Sequence, residues 1–468
     1  MTIVDKDYLV SSIEEGEKLG AEYVELRYQD KYLANLRYRD GELSSTTGSR
    51  EGICIRVLVD GSWGLAASNK LQKEEISIIL NKAVKMAKGS ADKKDSKIKL
   101  AEVEIIDEEA ISPRKIDLQD ISIEEKIQKL IEASKVIPEF DMVKSYSINY
   151  NEISDRRITV TNEGTRVEWY DMKPTLSTMA VAIEEGKMAS GMTSWSHTCG
   201  GEFFDLHPID EVMRISAEKA TKLVKAPLPP SGVTNILLDP QLVGVLAHEA
   251  IGHTAEADMV AAGSFTKGKL GQEVCDERIN LVDSPTLKGS NWEGSGWLPF
   301  DDEGVRGKKS YIIKDGVMTS YLTNREFAAQ FGVEATGNAR AYTFIDEPIV
   351  RMRNTYIESG DLSMEELYEA VGKGYLLRSL QNGQADSSSE FMFGAVECFA
   401  IKNGELTEDL YQNPVLTGNA FDVLNNIVGI GKDFDTNLGS GFCGKEQRAK
   451  VDGGGPHLAV KAMLAGGQ

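Results

Sequence analysis

His248-Glu249-Ala250-Ile251-Gly252-His253 gathers two of the five histidines of a 468-residue chain around one carboxylate. Neutral imidazoles bind zinc, and a neighbouring carboxylate can take a proton from water, so these are the parts of a zinc hydrolase. The spacing is one residue longer than H-E-x-x-H. On a regular helix a five-residue step turns by about 140°, whereas a four-residue step turns by about 40°. The two imidazoles therefore reach one metal only if the helix widens into a π-turn or ends at Gly252, whose backbone is least restricted. Taken alone, the six residues read equally well as two unrelated histidines.

The surrounding residues position the motif. Asn235-Ile-Leu-Leu238 reads as a short strand, and Asp239-Pro240 opens a helix by capping free amides and by placing proline where no donor is needed. Leu242, Val245, Leu246 and Ile251 give that helix an apolar face. A catalytic zinc has three protein ligands and an open position, so one ligand must come from elsewhere. The candidates are Cys275, Glu277, Cys398, Cys443 and His457. Cys275 and Cys398 sit in strand-like runs and read as small buried hydrophobes. Cys443 lies in the glycine-rich loop Leu438-Gly-Ser-Gly-Phe-Cys-Gly-Lys445, which brings backbone close to a metal and offers a soft thiolate. His457 is the fallback and reads more readily as a solvent-facing side chain.

The first half carries a repeat. A helix over 8–20, strands over 23–28, 33–38, 51–59 and 64–67, and a helix over 72–88 recur as a helix over 122–136, strands over 145–151, 157–161, 174–183 and 187–192, and a helix over 210–225. Both units read α-β-β-β-β-α, giving an amino-terminal α/β repeat domain over 1–226. Ala226-Pro-Leu-Pro-Pro-Ser-Gly232 supplies a proline-rich linker over 227–232. The remainder, 233–468, reads as mainly antiparallel sheet with a metal-binding helix, so the fold class is α+β.

A formal charge of −21 and pI near 4.9 argue against nucleic-acid binding, which needs Lys and Arg to neutralise phosphates. The mixed stretch over 85–97 forms no basic patch. No apolar run is long enough to span a membrane, and the amino terminus has no charged-then-apolar signal pattern. Five scattered cysteines suit a reducing cytoplasm.

The stretch His248-Glu-Ala-Ile-Gly-His-Thr-Ala-Glu-Ala-Asp258 resembles the signature of the TldD metalloproteases of the TldD/PmbA (TldE) family, also labelled modulators of DNA gyrase. Further matches are Phe300-Asp-Asp-Glu-Gly304, Pro348-Ile-Val-Arg-Met-Arg-Asn-Thr355, Pro414-Val-Leu-Thr-Gly418 and Gly441-Phe-Cys-Gly-Lys445, in order across the second half. The resemblance implies a zinc-dependent peptidase acting on small or unfolded peptides, with one Zn2+ held by His248, His253 and Cys443 and Glu249 as the catalytic carboxylate. It also implies a homodimer or a heterodimer with a PmbA/TldE-like subunit. The PmbA branch lacks the histidine-glutamate motif, so this chain falls on the TldD side. Arg340, Tyr342, Arg351 and Arg353 are candidates for stabilising the oxyanion, and each reads more readily as structural. The competing function is a non-catalytic regulatory adaptor with a structural zinc, a role that leaves Glu249 without a use.

Overall fold

The computed structural model describes residues 4–93, 96–288, 292–439 and 441–466. The first three residues of the stretch read for a signal, Lys94 and Asp95 of the 85–97 stretch, Ser440 of the cysteine loop and the last two residues of the second half lie outside the described residues.

The first half is a single sheet made of two similar units. β1 (Tyr23–Arg39), β2 (Glu42–Val59) and β3 (Ser62–Ser68) belong to the first. β4 (Asp107–Ile111) precedes the second, which consists of β5 (Val143–Thr161), β6 (Arg166–Glu184) and β7 (Lys187–Thr198). The order is β3-β2-β1-β5-β6-β7, antiparallel throughout, with β4 added parallel to β6 and Glu293–Gly294 against the end of β7. Helices Lys6–Lys18 and Lys73–Ala91 flank the first unit, and Ile123–Ala133 and Ile209–Leu223 flank the second. Each unit therefore has three strands rather than the expected four. The two short strands expected at the start of each unit are one continuous strand.

Charged residues in the middle of those strands imitate a break, and burial explains them. Successive side chains of a strand alternate between faces. On β1, Val24, Leu26 and Tyr28 pack against Leu9, Ile13, Ile79 and Leu80 of the helices. Glu25, Arg27, Gln29 and Lys31 take the opposite face and are also buried, because the second half of the chain covers them. Arg27 and Lys31 each donate at 2.8 Å to backbone carbonyls, of Asp346 and Tyr342. Arg56 of β2 bridges Glu25 at 2.9 Å and Glu303 at 2.6 Å, and Arg157 of β5 meets Asp302 at 2.7 Å. The segment Phe300-Asp-Asp-Glu-Gly304 is thus a clasp whose Asp302 and Glu303 carboxylates grip the polar face of the first sheet.

The two units share a packing device. A Cβ on Gly64 of β3 would stand 2.0 Å from the Ala83 carbonyl oxygen, and one on Gly191 of β7 would stand 2.0 Å from that of Ser216. In each unit the closing helix lies directly on the backbone of the third strand, where only glycine fits.

The second half holds two sheets around the motif helix. Gly232–Leu238, hereafter β8, pairs with Leu458–Gly466 on one side and Gly374–Ala385 on the other. Pro414–Asn419 and Glu390–Lys402 continue the sheet, and Glu390–Lys402 pairs back onto Gly374–Ala385, so the pairing closes on itself. A second sheet centres on Leu281–Ser284, Asn354–Ile357 and Asp452–Gly455. Helix Pro240–Val245 lies on the latter so closely that a Cβ on Gly244 would reach Gly454 N at 2.6 Å.

Gly64→Ala and Gly191→Ala should each destabilise the protein by about 1–3 kcal/mol through overpacking. Urea unfolding monitored by circular dichroism checks this, with Gly48→Ala, on β2 with open space above it and no positive φ, as the comparison for a glycine that carries no packing load.

Candidate metal centre

Asp239 caps the helix by accepting the Leu242 amide at 2.9 Å. The helix is α over Pro240–Val245, becomes π over Leu246–Gly252, and tightens to a 3-10 turn over His253–Ala255. The His253 amide donates to the His248 carbonyl, an i→i+5 bond. This wider turn absorbs the extra residue of the motif and returns His253 to the side of His248. The rings meet edge to face with centroids 5.1 Å apart. Gly252 has an ordinary helical φ of −56°. Its lack of a side chain serves Met352 instead, whose sulfur would lie 2.1 Å from a Cβ there.

Cys443 arrives on the hairpin Phe442–Lys445 and Gln447–Lys450. Its Sγ stands 3.1 Å from His253 Nε2. Donor atoms of His248, Glu249, His253 and Cys443 all lie within 4.8 Å of one another, the one such group of four among the described residues. Burial pushes the Cys443 thiol up, but the imidazoles of His248 and His253 outweigh it and bring it down to about 5. Neither ring nitrogen of buried His248 has a hydrogen-bond partner among the described residues. Two imidazoles, a thiolate and a carboxylate, with one imidazole unsatisfied, fit a borderline-soft divalent ion such as zinc. Glu249, a third exposed, opens onto a cleft of about 500 Å³ between β7 and the Gly374–Ala385 strand.

Glu256 completes the arrangement and was not singled out from the sequence. It has no exposed surface, and its carboxylate accepts from His253 Nδ1 at 2.7 Å, Lys445 Nζ at 2.9 Å and the Met352 amide at 3.1 Å. Burial alone would raise its pKa; the charges of His253 and Lys445 overcome that and hold it at about 2. The same pairing raises His253 well above its ordinary value against the opposing effect of burial. With Nδ1 committed to Glu256, Nε2 is left for Cys443 and a metal. Lys445 also grips Asp258 at 2.8 Å and the Val350 carbonyl at 2.7 Å, tying the cysteine hairpin to the motif. The available signal was an acid three residues after the second histidine.

The other sequence candidates lie elsewhere. Cys275 and Cys398 are in the hydrophobic core, where burial pushes both thiols up to about 12. Glu277 is exposed. His457 Nδ1 pairs with Asp433 at 2.7 Å. Arg340 serves the carbonyls of Met352 and Lys450, Arg351 those of Lys445 and Gln447, and Arg353 those of Thr336, Gly337 and Lys308. These arginines, like Tyr342, do not line the cleft that Glu249 faces.

Sequence profiles of the PmbA/TldA metallopeptidase match in three parts: domain 1 over 24–87, the central domain over 116–224 and the C-terminal domain over 231–467. The chain belongs to the TldD/PmbA family of metallopeptidases. It is 36% identical to a metalloprotease of Methanothermobacter thermautotrophicus, over 99% of both chains. It is 31% identical to a zinc metalloprotease TldD homolog of Saccharolobus solfataricus, over 97% of this chain and 99% of the relative. Among solved structures, a putative modulator of a DNA gyrase from Thermotoga maritima shares the fold at TM-score 0.78 and 23% identity, covering 98% of this chain and all of that one. TldE from Thermococcus kodakarensis does so at 0.76 and 18%, with the same coverage. Within this family fold, the π-turn and the cysteine hairpin form the candidate centre of the present chain.

Glu256→Gln is expected to weaken zinc binding about 10–100-fold, as loss of an outer-shell partner does. Competition against a chromophoric chelator measures it. Cys443→Ala should lose stoichiometric zinc in the same assay, and His457→Ala should keep it.

Proposed function

We propose that this chain is a zinc-dependent peptidase that cleaves small or unfolded peptides, with His248, His253 and Cys443 holding the metal and Glu249 moving the proton. The observation that carries the reading is the convergence of two imidazoles and a distant thiolate beside a carboxylate that faces an open cleft. The zinc relative from Saccharolobus solfataricus supports the choice of metal. Bound zinc would supply Lewis-acid polarisation and a water of lowered pKa. Glu249 accepts the proton of the attacking water on a carboxylate oxygen and then delivers it to the leaving amine. Glu256 and Lys445 keep His253 and Cys443 in place while that happens.

The cleft favours an extended substrate. Gly374–Ala385 pairs with β8 only through Leu377, so the side of residues 381–385 away from Glu390–Lys402 has no strand partner among the described residues. Gln381 and Gly383 border the cleft. A peptide laid along this edge would be read through its backbone, which gives broad sequence tolerance and excludes folded proteins. No helix among the described residues is long and apolar enough to cross a membrane. The proposal extends to a dimer, either with a second copy or with a TldE-like subunit.

Glu249→Gln should retain zinc and cleave an unstructured peptide about 10²–10⁴-fold more slowly, the range of general-base contributions. A variant that cleaves as fast as the parent overturns the mechanism. A folded protein and its reduced, alkylated form provide the substrate comparison, and only the latter should be cut.

A further inference from the structure

Gln241, Val245 and Glu249 follow one another at four-residue steps along the motif helix, and all three border the cleft of about 500 Å³. Such steps keep to one face of a helix, so these side chains form one wall of the cleft. At a rise of about 1.5 Å per residue, Gln241 sits about 12 Å from Glu249 along that wall.

The surroundings of Gln241 fix which way its carboxamide points. Gly374–Ala385 loses its partner β8 at Leu377, opposite Leu238. Two later amides of that strand are accepted by side chains at the start of the motif helix, Ser379 by Asp239 at 2.8 Å and Leu380 by Gln241 Oε1 at 2.9 Å. A backbone N–H needs an acceptor, and an amide nitrogen is not one, so turning the Gln241 group round would leave Leu380 unpaired. Nε2 therefore points away from the strand, and it has no hydrogen-bond partner among the described residues. Gly439, on the loop that leads to Cys443, faces this nitrogen without a side chain, and a Cβ there would stand 3.6 Å from it. A half-buried donor is thus held in a fixed direction beside the free edge of residues 381–385.

We propose that Gln241 binds the substrate, donating from Nε2 to a backbone carbonyl of an extended peptide about three to four residues from the bond that is cut, the number that about 12 Å of strand holds. The inference rests on the peptidase reading and narrows it. The substrates are oligopeptides that extend at least that far on one side of the cut, and dipeptides and tripeptides are poor ones. A contact to a main-chain carbonyl does not read side chains, so it adds affinity without sequence preference. Because it lies far from the reacting atoms, it lowers KM and leaves kcat alone.

Two quenched fluorescent peptides with the same central cleavage site, flanked by two or by five residues on each side, test this on the zinc-loaded protein. Gln241→Glu keeps an oxygen for the Leu380 amide and removes the donor. It should raise KM for the longer peptide about 3–10-fold, the worth of one hydrogen bond, at unchanged kcat, and leave the shorter peptide unaffected. A merely structural role would slow both peptides alike. Gln241→Met provides the same comparison if the glutamate variant does not fold. Anisotropy of the longer peptide, labelled and bound to zinc-loaded Glu249→Gln, separates the contact from the chemistry. Weaker binding when Gln241→Glu is added supports the contact even where the parent cuts neither peptide, a result that would sink only the peptidase reading. Unchanged KM and binding in Gln241→Glu, or equal losses on both peptides, overturns the proposal and leaves the role of Glu249 intact.

Discussion

A carboxylate with no exposed surface has to be enclosed by cations and donors, and Glu256 makes the candidate metal centre depend on that requirement. Its partners come from three parts of the chain: His253 from the motif, Lys445 from the cysteine hairpin, and the Met352 amide from the second sheet. Satisfying one buried charge therefore brings the helix, hairpin and sheet into one place. It also decides which nitrogen of His253 is occupied and which faces Cys443. Without the carboxylate, the imidazole and Lys445 would be left facing each other, so the geometry and the electrostatics are the same constraint.

The spacing of the two histidines was informative because it was wrong for a regular helix. A five-residue step cannot present both rings to one ion, and the structure resolves it by widening the turn over Leu246–Gly252. The reason for Gly252 was less legible. Its backbone is ordinary, and the requirement is room for Met352, a contact from about a hundred residues away that local sequence does not encode. Cys443 stood out because its loop is glycine-rich. Glu256 did not, since an acid three residues after a histidine is common on helices and only burial makes this one distinctive. Arg340, Arg351 and Arg353 read from the sequence more readily as structural than as catalytic, and they serve backbone carbonyls.

At the level of fold, the repeat was visible because helix period and strand alternation recur in the same order in both units. The strand count was not, because charge in mid-strand ordinarily marks an end. Here Arg27, Lys31 and Arg157 belong to a buried face whose partners, Asp346, Tyr342 and Asp302, lie in the other half of the chain. A local reading sees polar residues and infers solvent. The long-range partner replaces the solvent.

The strand that begins the second half pairs with the strand near its end, Gly232–Leu238 with Leu458–Gly466. Cys443 and Lys445 likewise follow the motif by nearly two hundred residues. A growing chain that has already exposed both histidines and Glu249 still lacks the thiolate, the lysine that anchors Glu256, and the strand that completes the sheet beneath the helix. The order of synthesis thus acts as a timer. The four candidate ligands can meet only after the chain has been made through the cysteine hairpin, and the sheet closes only with Leu458–Gly466.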